Sequence, residues 1–253
     1  MKSTVNILFK LLLALFFVLS ASNNGHSQTQ KSKLGSQDIW EKSISYHDPG
    51  GNWNSYSGKM LEVTVFTNNN VVEESIEINK PEDYYLSTVF RDTRTIKRGM
   101  DKGKYFFSLN DDPNVPENIR NSWSLSESGI AMFKQQHTCH FGMPMHLKST
   151  GMKIQENVNV VDFEGRNCYE LTFIGIPDQV INELYSGKWF LYIDTKSYSL
   201  RGVKREFNDY PAMYTVNSEE IEINGIKIPH IQTVYYFENN KLRCSSINMP
   251  FTK

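Results

Sequence analysis

The chain has 253 residues, with 27 Lys and Arg against 28 Asp and Glu, for a formal net charge of −1. A charge so evenly balanced argues against nucleic acid as a partner, because phosphate recognition needs a cationic surface. Aromatic residues make up 13% of the chain, Tyr and Phe foremost, and that content leans towards strands.

The first element is a targeting segment. Lys2 and Lys10 precede an unbroken apolar run over 11–19 that stops at Ser20. A cationic start followed by an apolar run of this length reads as a cleavable signal peptide, since a spanning helix needs about 20 apolar residues. Small residues allow cleavage after Ala21 or Ser27, and Ser27 is preferred because 22–33 is polar throughout. The expected organisation is a signal peptide over 1–27, a disordered segment over 28–33 and one domain over 34–253. With no cysteine near the cleavage site, the mature chain is expected to be periplasmic or secreted, unlipidated and without a transmembrane segment. Its roughly 225 residues suffice for one substantial core. Cys139, Cys168 and Cys244 make an odd count for an oxidising compartment and leave any pairing open.

Along the mature chain, 36–46 spaces Ile39, Trp40, Ile44 and Tyr46 at helical intervals. Period-two alternation then predicts strands over 59–67, 75–79 and 104–109. A second helix is expected over 126–137, weakened by Gly129. After a strand over 166–173 comes a third helix, 177–185, opened by Pro177 and Asp178. Strands over 188–194, 200–207, 214–223, 226–237 and 242–249 follow. Asn224-Gly225 between two of them is a strong hairpin signal. The residues thus predict a mainly β, α+β domain of about ten antiparallel strands and roughly three helices.

Three features invite a chemical reading. Residues 137–146 hold His137, Cys139, His140, Met143, Met145 and His146, soft ligands of the kind that suit copper or zinc. The spacing matches no standard site, and Met is a good gap filler, so a helix end packed into the core is the preferred reading. His47 beside Asp48 suggests a catalytic dyad, yet Asp-Pro-Gly-Gly-Asn over 48–52 is turn chemistry, and no nucleophile motif accompanies it. Glu73, Glu74, Glu77, Glu219, Glu220 and Glu222 read as solvated strand faces. No catalytic residue and no cofactor is assigned.

Four segments, 46–53 (YHDPGGNW), 141–147 (FGMPMHL), 189–195 (WFLYIDT) and 223–229 (INGIKIP), resemble a domain-of-unknown-function family of exported bacterial proteins. The strand and hairpin among them are similar to the lipoprotein carriers of the LolA and LolB type. That resemblance implies a single curved antiparallel sheet, a half-barrel, wrapped around a few helices and enclosing an apolar cavity for acyl chains. The function it implies is non-enzymatic binding of a lipid, acyl chain or lipoprotein anchor in the cell envelope. Phe107, Met143, Met145, Phe173, Trp189 and Leu191 are the expected lining, against core packing as the plainer role for each. The alternatives are an envelope protein–protein interaction module and, behind it, a handler of copper or zinc.

Overall fold

Thirteen strands, each antiparallel to its neighbours, form one open sheet in a computed structural model that describes residues 30–31, 34–91, 93–176, 178–181, 183–206, 212–236 and 241–251. The predicted signal peptide lies outside the described residues, and of 28–33 only the short strand Gln30–Lys31 is within them. In chain order the elements are β1 (Gln30–Lys31), α1 (Ser36–His47), β2 (Ser57–Phe66), β3 (Val71–Asn79), β4 (Tyr84–Arg91), β5 (Arg94–Asp101) and β6 (Lys104–Leu109). Then come α2 (Glu117–Ser122), α3 (Glu127–Gly142), β7 (Lys153–Phe163), β8 (Arg166–Gly175), β9 (Gly187–Asp194) and β10 (Leu200–Glu206). The last three are β11 (Met213–Ile223), β12 (Ile226–Tyr236) and β13 (Lys241–Pro250). The sheet order is β1-β7-β8-β9-β10-β11-β12-β13-β2-β3-β4-β5-β6, so the final strand closes onto β2 and joins the two halves of the chain.

The expected count of about ten strands was too low, and the omissions have a cause. Strands β4 and β5 turn Ser87 and Arg98 inward beside Tyr85, Ile96 and Met100, which breaks the hydrophobic alternation that marks a half-buried strand. In β7 a register shift between Ile154 and Val158 interrupts the period. Among the described residues of 177–185 there is no α-helix: turn and bend residues over 178–181 are followed by a single 3₁₀ turn at Glu183–Tyr185. By contrast, α1 matches expectation closely, and α3 runs past its predicted end to Gly142. Ser126 caps α3 by accepting the Gly129 N–H at 3.1 Å. Glycine is required at 129, because a Cβ there would lie 2.2 Å from the Ser124 carbonyl oxygen.

The helices show that the sheet is curved. Trp40 of α1 packs edge-on against Phe173 of β8 at 5.0 Å, and His137 of α3 meets the Tyr85 hydroxyl of β4 at 2.8 Å. Eight strand spacings separate β8 from β4, about 38 Å if laid flat. Two helices side by side cover only about 20 Å, so the sheet must bend around them. The core accordingly forms two large clusters on the concave side. One joins Ile39, Trp40, Cys139 and Met143 to Phe173, Trp189, Leu191 and Ile193. The other joins Ile130, Phe141 and Met145 to Met60, Ile76, Ile78, Tyr85 and Ile228. Among the described residues no helix is long and apolar enough to cross a membrane.

Candidate functional site

Directly opposed residues of an antiparallel pair point to the same side of the sheet, so register traces rows across the concave face. One row runs Leu191–Val203–Thr215–Val234–Cys244–Phe66, from β9 through β10 to β13 and on to β2. Leu191 is fully buried within the first cluster, which fixes the row on the inner face. Beyond it, Val203, Thr215, Val234 and Phe66 are only half-buried, with Cys244 tucked between them. The next row, Trp189–Arg205–Met213–Tyr236, behaves alike: Trp189 is covered and the rest are half-buried. The helices therefore seal both wings of the concave face and leave a trough half open in its middle.

The floor of the trough is polar. Asn217, Gln232 and Ser246 are buried, and the row they form continues into Thr64. The Gln232 amide donates to Asn217 at 3.1 Å, and Asn248 donates to Gln232 at 3.2 Å. The Thr64 and Ser246 hydroxyls lie 2.8 Å apart and 2.8 and 3.2 Å from Glu62 Oε1, so their two protons are shared between each other and the carboxylate. His140 of α3 hangs over this floor with Nε2 3.8 Å from Glu62 Oε2, beyond hydrogen-bond reach. That nitrogen is shut off from solvent and has no partner among the described residues. Burial pushes the imidazole pKa below its ordinary 6.5; Glu62 pulls the other way, and His137 and Arg205 add to the fall.

One strand further, a buried ionic cluster ties α3 to the sheet. The Arg98 guanidinium donates to Glu74 Oε1 at 2.8 Å and to Ser87 Oγ at 3.1 Å, and lies 3.2 Å from the centre of the Phe133 ring. Ser87 itself donates to Glu74. His137 places Nε2 3.7 Å from the same carboxylate. Burial works to raise the Glu74 pKa, but His137, Arg98 and Ser87 together outweigh it and hold the carboxyl below its ordinary 4.5. Glu74 is thus no solvated edge. Glu220 also departs from that expectation, accepting the Tyr46 hydroxyl at 2.6 Å.

Of the six expected lining residues, Met143, Phe173, Trp189 and Leu191 lie in the first core cluster and Met145 in the second. Phe107 is half-buried, against the second cluster and a smaller third one. All five cluster members are closed in by the helix layer. Leu191 and Trp189 nevertheless begin the two rows that open into the trough, so alternation pointed to the right face. What it missed were Val203, Thr215, Val234, Cys244 and Phe66, whose only sequence signal is ordinary strand patterning.

The His/Met stretch is dispersed by the helix. His137 turns to Tyr85 and Glu74, and His140 to Glu62, while His146 Nε2 pairs with the Tyr185 hydroxyl at 2.8 Å. Among the described residues no three His, Cys, Asp or Glu side chains converge as a metal site. His47 is held through both ring nitrogens, Nδ1 donating to the Lys227 carbonyl at 2.8 Å and Nε2 accepting the Leu200 N–H at 2.9 Å. Asp48 accepts the N–H groups of Asn52 and Trp53 at 2.7 and 2.9 Å and so forms a turn. The Trp53 ring then rests on Gly142, where a Cβ would lie 2.1 Å from it, so segments 46–53 and 141–147 meet in space.

The chain belongs to the family of unknown function DUF6503, whose model matches residues 8–247. Among solved structures it is similar to a LolA superfamily protein from Nitrosomonas europaea, with a TM-score of 0.52 and 11% identity over 87% of this chain and 94% of that one. A DUF1329 family protein from Desulfovibrio piger aligns with a TM-score of 0.45 and 9% identity, over 85% and 91% of the two chains. No curated protein sequence matches the chain. The first of these likenesses makes the fold LolA-like: mainly β, with one open antiparallel sheet and a few helices.

Proposed function

We propose that this chain is an exported binding protein of the cell envelope that holds an apolar ligand in the half-covered trough of its concave face and performs no chemistry on it. The observation that carries the reading is the row Val203–Thr215–Val234–Cys244–Phe66, a run of apolar and small side chains of which all but the buried Cys244 are left half open. Covering about 200 Å² of such surface gains about 5 kcal/mol before the costs of association. The row crosses four strand spacings, about 19 Å, somewhat more than the roughly 15 Å depth of one bilayer leaflet's hydrocarbon. An extended acyl chain fits that length. The LolA-like fold and the resemblance to lipoprotein carriers support the same class of ligand.

Native mass spectrometry of the mature protein from its own envelope tests this, with and without organic extraction. A removable lipid mass, lost in Val234→Arg, is the expected result. A clean protein mass from both preparations, together with no uptake of added acyl lipid, refutes the reading and favours a protein partner for this face.

A further inference from the structure

We infer that the bend formed by 176 and 178–181, with Lys148, Lys153 and Lys188 around it, docks the protein on the surface of an anionic lipid bilayer. This goes beyond the ligand site and does not require it.

The bend exposes apolar side chains by construction. Among the described residues Ile181 is the most exposed large hydrophobic, at 53%, and Ile176 keeps 40%. Neither belongs to a loose segment. The Ile176 carbonyl accepts the N–H groups of Gln179 and Val180 at 2.8 and 3.1 Å, and the Ile181 N–H donates to the Thr150 carbonyl at 3.0 Å. A Cβ on Gly151 would lie 2.1 Å from the Gln179 carbonyl oxygen, so the bend is seated directly on that backbone. Val180 packs against the first core cluster. One short bend thus turns Val180 in and holds Ile176 and Ile181 out. Exposed apolar side chains fixed together in this way mark a contact surface.

Charge selects the partner. Lys153 and Lys188 stand on either side of Ile174 in one cross-strand row, just before Ile176 in the chain. Lys148 lies just before Thr150, to which Ile181 is bonded. All three lysines are exposed, and the lysine ion pairs among the described residues involve Lys97, Lys102, Lys134 and Lys204 instead. Asp178 is an exposed carboxylate on the bend, and the lysines outnumber it. Glu206, directly across from Lys188, is held by Lys204 at 2.5 Å. An anionic bilayer offers hydrocarbon to the isoleucines and phosphate to the lysines at once, and each lysine near such a surface strengthens binding about five-fold. A neutral bilayer leaves the lysines without a countercharge. The same rim ends the trough, because Trp189, which begins its outer row, follows Lys188 in β9.

Flotation of the mature protein with vesicles tests this, using phosphatidylcholine alone and with about one-third phosphatidylglycerol. Affinity for the anionic vesicles should be about ten-fold or more higher, and about 0.5 M salt should remove the difference. Ile176→Ser with Ile181→Ser should lower that affinity about ten-fold. Lys148→Gln, Lys153→Gln and Lys188→Gln together should erase the preference for anionic vesicles. All five side chains are exposed, so both variants should melt with the wild type. Val234→Arg, which blocks the trough, should float as the wild type does; that result supports docking even if the trough proves to hold no lipid. Loss of flotation in Val234→Arg with the bend variants unaffected overturns the inference, since the lipid is then held in the trough. Equal binding to both vesicle types overturns it as well. Binding to neither also refutes it and favours an acidic protein as the partner of this bend.

Discussion

Replacing Arg98 by Met strips the guanidinium from Glu74 while keeping most of the apolar stem. Arg98 is 3% exposed, and the paired side chains keep 4% and 13% of their surface. Water therefore has little access to the carboxylate left behind. Breaking a buried pair by removing one partner costs about 3–5 kcal/mol. For a domain of this size each kcal/mol moves the melting temperature by about 2–4 °C, so Arg98→Met should lower it by about 10 °C. The pH dependence carries a definite sign. Because the folded Glu74 pKa lies below 4.5, its contribution is fully present above pH 4.5 and is lost as the pH falls through the folded value. Without Arg98, burial is opposed only by His137 and Ser87, and the loss should begin at higher pH. Adding Glu74→Gln to Arg98→Met should restore part of the stability, with a coupling energy of at least about 2 kcal/mol. Thermal melts of the two single variants and the double variant between pH 4 and 8 measure all of this. An Arg98→Met variant within about 1 kcal/mol of wild type, or a double variant less stable than that single, refutes the buried-cluster reasoning.

Three further outcomes follow from packing. Burial, with Lys80 nearby, pushes the His146 pKa down from 6.5 to about 4, so its imidazole should stay neutral in NMR titrations until near pH 4. The stability it contributes is complete above pH 6.5 and drains away between 6.5 and 4; an imidazole that titrates near 6.5 in the folded protein contradicts this. Gly175→Ala should cost at least about 2 kcal/mol in denaturant melts, because a Cβ there would sit 1.6 Å from the Tyr185 carbonyl oxygen, and a neutral substitution would mean that contact is wrong. All three cysteines are free and buried, and burial raises Cys139 to about 11 and Cys168 to about 12. A thiol reagent should thus label none quickly in the native state and three after unfolding; fewer than three would reveal a disulfide.

Much of the fold was legible because alternation is local. Strands such as Arg166–Gly175 and Gly187–Asp194 set Tyr169, Leu171, Phe173, Trp189, Leu191 and Ile193 on one face, and all of these but the half-buried Tyr169 are core residues. Helix Ser36–His47 and the Asn224-Gly225 hairpin were readable for the same reason, since cap, spacing and turn residues all act within a few positions of one another. Strands β4 and β5 were not, because they turn Ser87 and Arg98 into the core. Whether an inward Arg is tolerable depends on Glu74, which lies 24 positions away along the chain.

The site depended on distance in the same way. Chain-local chemistry determined that this protein is strand-rich, that one face of each strand is apolar, and that residues 48–52 and 137–146 serve turns and packing. Only the tertiary structure decided which part of the inner face is covered. Curvature carries α1 and α3 over the wings and leaves Val203, Thr215, Val234 and Phe66 half open, although nothing in their own segments distinguishes them from buried neighbours such as Leu191. It likewise brings His140 and Glu62 together from a helix and a strand far apart in the chain. Burial and charge depend on what the rest of the chain places on top of a residue, and no local period records that.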